Sequence, residues 1–198
     1  MGRRVELLEE MAASRRENTL TYACDISEMD EFDRALEAMT GELGSLDIAI
    51  LCAGIGELNP VLDASAEIET ARVNVDGWTN AAVGLYRLFE RQGWGQLVTV
   101  TSVGGLMSAA MAPAYSASKA YQINYTKALQ RKSNGTGVVV TEIRPGLVDT
   151  RMAKGDGLFW VMPVDKVASQ IVKAIARRRR LAVVSRRWRL ANYILRHI

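Results

Sequence analysis

Apolar and polar positions along the chain alternate between two periods. Residues 3–13 (RRVELLEEMAA) place apolar side chains at helical spacing, and residues 19–24 (TLTYAC) suit a strand. Asp25-Ile26-Ser27 then opens a helix that runs to about residue 43, with Ser27 as its N-cap and Asp30 three positions later. Residues 47–53 (DIAILCA) form an unbroken apolar run, the pattern of a strand buried on both faces. A long helix over 67–92 follows, then a buried strand at 96–102 (QLVTVTS), a helix at 114–133 and a strand at 138–144 (VVVTEIR). A helix at 163–177 and a short strand at 181–185 (LAVVS) complete the series. Strand and helix alternate throughout, which predicts one α/β domain over residues 1–198, a doubly wound parallel sheet with helices on both faces. No internal repeat, low-complexity segment or linker divides it.

Composition narrows the class. The chain has 198 residues and is 48% hydrophobic, enough for one sizeable core. No apolar run approaches the ~18 residues that a spanning helix needs. Glu6, Glu9 and Glu10 stand where a signal peptide requires an apolar stretch, and Glu6 stands where a myristoylation signal requires Ser or Thr. The two cysteines, Cys24 and Cys52, end apolar runs and read as small buried hydrophobes; a cytoplasmic protein without disulfides is expected. Net charge is +3, but residues 173–198 hold nine Lys or Arg and no acid, leaving 16 bases against 22 acids elsewhere. The basicity belongs to the tail, which argues against a nucleic-acid-binding body. The only histidine, His197, is penultimate, so no Ser–His pair is evident and a hydrolase is disfavoured. No cluster of His, Cys or carboxylates suggests a metal site.

In parallel sheets of this kind, ligands bind at the carboxyl ends of the strands. There the sequence gathers Ala53-Gly54-Ile55-Gly56, Thr101-Ser102 and Arg144-Pro145-Gly146, with Tyr115 near the start of the helix after Ser102. Tyr115 and Lys119 are four residues apart, on one face of that helix. A free phenol has a pKa near ~10 and is a poor base at neutral pH. A nearby cation lowers that value, and a phenol so tuned exchanges a proton with a carbonyl or alcohol oxygen. Ser102 is placed to hydrogen-bond the same oxygen. Alone, a Tyr and a Lys at this spacing are more often a chance surface pair.

The surroundings change that. Ser102 thirteen residues before Tyr115, YSASK at 115–119, CAG at 52–54, VNVDG at 73–77 and RPGLVDT at 144–150 together resemble the short-chain dehydrogenase/reductase family, in that family's order. The resemblance implies a Rossmann-like fold and NAD(P)-dependent hydride transfer between the cofactor and a carbonyl or alcohol. It implies Tyr115 as general acid/base, Ser102 as the group that orients and polarises the substrate oxygen, and Lys119 as the group that lowers the Tyr115 pKa and holds the nicotinamide ribose. Asn74 corresponds to the fourth catalytic position, in a proton relay to Lys119. Asp25, with Ile26 beside it, corresponds to the residues at the adenine; Ala53 and Gly54 line the adenosine side. Pro145, Gly146, Val148 and Thr150 correspond to the loop around the nicotinamide. Arg3 and Arg4 follow what resembles the second strand, where a cation pairs with a 2′-phosphate; NADP(H) is therefore favoured over NAD(H). Each residue also has a plainer reading: Ser102 as a strand-end cap, Asn74 as a polar residue on a half-buried helix, Asp25 as a turn residue.

The chain departs from the family pattern in two places. Cys52 replaces the usual Asn of N-A-G, and the first strand with its T-G-x-x-x-G-x-G loop has no match, so the fold is expected to be N-terminally truncated. That strand would lie between 19–24 and 47–53; the sequence allows a fragment, a misplaced start, or direct pairing of those two strands. The alternative to an enzyme is a non-catalytic remnant serving as an oligomerisation module. For the enzyme, the segment 151–163 (RMAKGDGLFWVMP), with Gly155 and Gly157 inside it, occupies the variable substrate loop. Phe159 and Trp160 there, with Leu106 and Met107 after Ser102, suggest an apolar pocket for a small hydrophobic carbonyl or alcohol; core packing is the competing role for the two aromatics. By resemblance the helices at 67–92 and 114–133 form a dimer or tetramer contact, and Val83, Leu85, Leu88 and Phe89 exceed one buried stripe. In the tail, Trp188, Leu190, Ala191, Tyr193, Ile194 and Leu195 interleave with Arg187, Arg189 and Arg196. The expected role is a helix packed on its own domain, with weak, salt-sensitive membrane contact as the alternative.

Overall fold

Leu97 and Val98 are chain neighbours, yet they lie in two different hydrophobic cores. Successive side chains of a strand leave on opposite faces, so this strand is covered on both. It is β2 (Gly95–Val100), and in the computed structural model it lies inside a four-stranded parallel sheet with β1 (Ile48–Leu51), β3 (Val138–Pro145) and β4 (Leu181–Val184). The spatial order is β1-β2-β3-β4, with Leu97 opposite both Ala49 and Val140. The structure describes residues 1–14, 18–150, 152–153 and 158–195. Gly155, Gly157, Arg196 and His197 lie outside them.

Parallel neighbours require crossovers. The helices are α1 (Val5–Ala13), α2 (Met29–Leu43), α3 (Ala64–Ala71), α4 (Trp78–Gln92), α5 (Pro113–Lys132), α6 (Val164–Ala176) and α7 (Arg186–Leu195). The larger core sets Phe32 and Leu36 of α2, Trp78, Leu85 and Phe89 of α4, and Leu129 of α5 against Leu51, Leu97 and Val140. In the second core Val167, Ala174 and Ile175 of α6 meet Val98, Ile143 and Val184. The expected doubly wound α/β layering is present. The long helix expected over 67–92 begins earlier, at Ala64, because the Asp63 carboxylate caps it by accepting from the Ser65 and Ala66 N–H groups. It is also interrupted: Arg72–Gly77 is a π-helical segment between α3 and α4, and it carries Asn74.

The N-terminal quarter differs from expectation. Residues 19–24 form no strand of the sheet; Ala23 makes one isolated parallel bridge with Gly2. The Gly2 N–H donates to Tyr22 O and the Cys24 N–H to Gly2 O, both at 3.1 Å. Ser27 does not cap α2. Its N–H and hydroxyl both turn back to Asp25 Oδ1, at 2.9 and 2.7 Å, a local alternative to capping, and the helix starts at Met29. β1 is buried on one face only: Ala49 and Leu51 are core, whereas Ile48 and Ile50 are 47% and 53% exposed. Cys52 is exposed, unlike Cys24. Residues 19–24 do not pair with β1. Instead a cavity of about 870 Å³ separates them, walled by Leu7, Leu8 and Met11 on one side and Ile48 and Ile50 on the other. α1 contributes no buried residue, so this side of β1 has no cover.

At the opposite end of the sheet the packing is tight. Residues two apart on a strand share a face, and Glu142 and Arg144 of β3 form a fully buried ion pair, with side-chain exposures of 2% and 0%. Arg144 Nε donates to Glu142 Oε1 at 2.8 Å and its Nη2 to Oε2 at 2.9 Å. The Thr101 hydroxyl adds a bond to Glu142 Oε1 at 2.8 Å, and Arg144 Nη1 donates to Asn192 Oδ1 of α7 at 2.6 Å. Arg144→Met leaves that carboxylate buried without its cation, and a stability loss of about 3–5 kcal/mol is expected in urea unfolding. A loss below ~1 kcal/mol, the size of a surface pair, would show that Glu142 is not held by this pair.

Candidate active site

Ser102 leaves the end of β2 and caps the short 3-10 turn Val103–Leu106, its Oγ accepting from the Gly104 N–H at 3.0 Å. Helix α5 starts at Pro113, whose fixed φ suits the first helical turn. The Ala114 N–H donates to Glu67 Oε2 at 2.7 Å, a carboxylate at the positive end of the helix. Tyr115 follows in the first turn, and its ring and the Ser102 hydroxyl converge beside Gly104, where a Cβ would stand 3.5 and 3.3 Å from them. Its ring lies directly on Gly56: a Cβ there would stand 2.3 Å from the ring. The loop after β1 thus carries a glycine at that point because nothing larger clears the phenol.

One turn on, Lys119 is buried, 5% exposed. Its Nζ donates to Gln122 Oε1 at 2.9 Å and to Val100 O at 3.3 Å, and lies 5.8 Å from the Tyr115 ring centroid. Burial pushes the Lys119 pKa down to about 8, with Cys52 pulling slightly the other way. Gln122, wholly buried, donates through Nε2 to Asn74 O at 2.9 Å. Asn74 in turn clamps Ile55: Oδ1 accepts from the Ile55 N–H at 2.8 Å, and Nδ2 donates to Ile55 O at 2.7 Å and to Ser118 Oγ at 3.0 Å. Burial raises the Tyr115 pKa, and the Ser102 hydrogen bond acts against it. This departs from the lowering expected from Lys119.

The remaining sequence candidates fall into three groups. Arg3, Arg4, Ile26, Ala53 and Gly54 line the 870 Å³ cavity. Gly54 marks its inner end, since a Cβ on it would stand 3.3 Å from Lys119 Nζ. Asp25 stands beside this wall. Burial pushes its carboxyl up, but two bonds from Ser27 and the Arg3 guanidinium at 3.4 Å outweigh that and hold it below the usual range. In the second group, Pro145 and Gly146 turn out of β3, Val148 bridges Met162, and Thr150 is exposed with its hydroxyl bonded to Val148 O at 3.4 Å. The apolar candidates form the third group, and they separate. Leu106 and Met107 line a shallow depression with Ala109, Pro113 and Ala117, whereas Phe159 and Trp160 rest on Trp188.

Two residues of this arrangement escaped the sequence reading. Gln122 and Ser118 sit seven and three places after Tyr115, and the helical period of 3.6 gave the signal for Gln122. Trp188 was expected on a helix packed against its own domain, where the structure buries it, but its contacts with Gly146 and Trp160 were not foreseen.

The buried ammonium sets a pH dependence. Lys119 has a lower pKa folded than unfolded, so between about 8 and 10.5 the unfolded chain binds more protons, and its contribution to stability rises with pH. The folded chain carries the full cost of the buried charge below that window. The stability of the wild type relative to Lys119→Met should therefore climb from pH 8 to pH 9.5 in urea titrations. A flat difference would mean that Lys119 is solvated.

The profile of the short chain dehydrogenase family matches residues 1–157. An uncharacterised oxidoreductase of Staphylococcus epidermidis is 27% identical over 157 residues, 78% of this chain and 68% of that one. Among solved structures, the NADPH-dependent 3-quinuclidinone reductase of Rhodotorula rubra superposes with a TM-score of 0.66 at 30% identity, over 77% of this chain and 59% of that one. A short chain dehydrogenase/reductase of Burkholderia phymatum, solved with NAD, reaches 0.83 at 17% identity, over 96% and 80%. The chain spans roughly three fifths to four fifths of these proteins. With its serine, tyrosine and lysine at the carboxyl edge of a parallel sheet, this chain belongs to the short chain dehydrogenase family.

Proposed function

We propose that the chain is an NAD(P)-dependent oxidoreductase acting on a small hydrophobic carbonyl or alcohol, with NADP(H) favoured. The observation that supports this most is the convergence of Ser102, Tyr115 and Lys119, from a strand end and one helix face, beside Gly54 and Gly56. The residues present suit a nicotinamide dinucleotide at both ends. Arg3 and Arg4 offer cations on the cavity wall, the Asp25 carboxylate stands beside Arg3, and Gly54 leaves the approach to Lys119 open. The cofactor supplies the hydride when bound. Ser102 then orients the substrate oxygen, and Tyr115 gives or takes the proton at its phenol oxygen. Lys119, Gln122 and Asn74 form a hydrogen-bonded line leading away from it.

A second reading has one specific observation in its favour. The cavity floor is apolar, with Phe32, Met39, Leu51 and Leu85 along it, and would receive a pyrophosphate poorly. On that reading the chain binds no cofactor and acts as an interaction module. Self-association through α4 and α5 suits either reading, although Leu85 and Phe89 belong to the chain's own core and Leu88 packs against it, so half-buried Val83 carries that case. Membrane contact through the tail loses Trp188, which is buried; Leu190 and Tyr193 are exposed. Among the described residues, no helix is long and apolar enough to cross a membrane.

Fluorescence titration with NADPH and NADH separates the two readings, and failure to bind either supports the module. For the enzyme, Tyr115→Phe should lower turnover about 10²–10⁴-fold and leave cofactor affinity nearly unchanged, because the proton transfer goes and the ring stays. Near-normal turnover would refute the role of Tyr115. Arg3→Ala should weaken NADPH about tenfold and NADH little, in line with one charge-assisted hydrogen bond. Equal or tighter binding of NADH by the unmodified chain would overturn the preference.

A further inference from the structure

Trp188 of α7 is 6% exposed although the helix carries arginines on its outer side. Its indole lies on the backbone of Gly146: a Cβ there would stand 2.2 Å from both Cδ1 and Nε1. The Nε1–H donates to Trp160 O at 3.2 Å. Phe159 stacks on the same indole at 5.5 Å and 29°, and Trp160 meets it edge-on at 5.7 Å and 82°. Trp160 has φ of 55°, a backbone conformation that a bulky L-residue resists and that its surroundings must enforce. Just beyond it, Met162 N–H donates to Leu147 O and Asp149 N–H to Met162 O, both at 2.9 Å, which ties the two segments side by side.

The helix that presents Trp188 is itself anchored. Ser185 caps it, accepting from the Trp188 N–H through Oγ at 3.3 Å and from the Arg189 N–H through its carbonyl at 3.1 Å. Asn192, one turn after Trp188, holds Arg144, and the line continues through Glu142 to Thr101, the residue before Ser102. The helix also packs against the Val103–Leu106 turn. One helix therefore touches both the turn that follows Ser102 and the end of β3.

We infer that Trp188 is a positioning residue: it holds the Gly146–Asp149 and Phe159–Met162 segments together beside the site, so that the basic tail is part of the active-site scaffold. For activity this rests on the oxidoreductase reading; for structure it does not. The test uses the whole chain, with Trp188→Ala and Trp188→Phe, and reads amide hydrogen exchange. In Trp188→Ala, exchange at Asp149 and Met162 should quicken about tenfold or more, while Leu97 and Val140 in the sheet stay within about twofold. Trp188→Phe, which keeps a stacking ring, should recover most of the protection. Unchanged exchange at Asp149 and Met162, or equal quickening at all four, would overturn the inference, the second because Trp188 would then only fill the core. Turnover gives an independent arm: KM for a carbonyl substrate should rise about tenfold in Trp188→Ala with kcat within about threefold. An unmodified chain that binds no cofactor would sink the oxidoreductase reading and leave the exchange result to decide this one.

Discussion

Placing an ammonium group inside a protein with only neutral oxygens for company constrains everything near it. Lys119 is such a group. Its partners Gln122 Oε1 and Val100 O are dipoles, not charges, so their positions must be held tightly for the burial to be tolerable. Val100 is fixed by the sheet. Gln122 is fixed by Asn74 O, and Asn74 by both polar atoms of the Ile55 peptide. The π-helical stretch follows from this: it sets Asn74 where its carbonyl meets α5 and its side chain meets the loop after β1 at once. A pKa near 8 is the electrical signature of the same arrangement.

A second polar line, Thr101–Glu142–Arg144–Asn192, runs beneath the site on the other side. The two differ in kind. The first carries a titratable charge close to the physiological range and lies beside the Tyr115 ring. The second is a saturated ion pair, closed to water, and serves as a fixed strut between β2, β3 and α7. Between them, Ser102 is held from the strand and Tyr115 from the helix. Gly56 and Gly146 complete the frame, each being the point where an aromatic ring presses on backbone.

Much of this was legible in the sequence because it follows a period. Tyr115 and Lys119 stand at helical spacing, and the strands from Gly95 and Val138 are apolar runs that the sheet buries on both faces. Elements whose burial depends on a distant neighbour were not legible. DIAILCA looks identical whether or not anything covers Ile48 and Ile50, and TLTYAC has strand propensity without a strand beside it to complete a ladder. Ser27 was misread because a nearby carboxylate competed for its donors. Trp188 was expected on a helix packed against its own domain, but its partners Gly146, Phe159 and Trp160 are distant in sequence and could not be named from it.

The uncovered side of β1 has a consequence for the chain in solution. Ile-Ala-Ile-Leu carries no charge or proline, the devices with which edge strands normally repel one another, and a row of its peptide groups faces the gap. Such an edge is adhesive. Two chains meeting there join β1 to β1 and extend one sheet into the other; each brings one such edge, so the contact closes on a pair. A pair that forms as concentration rises, and grows no further, is the mark of the open strand.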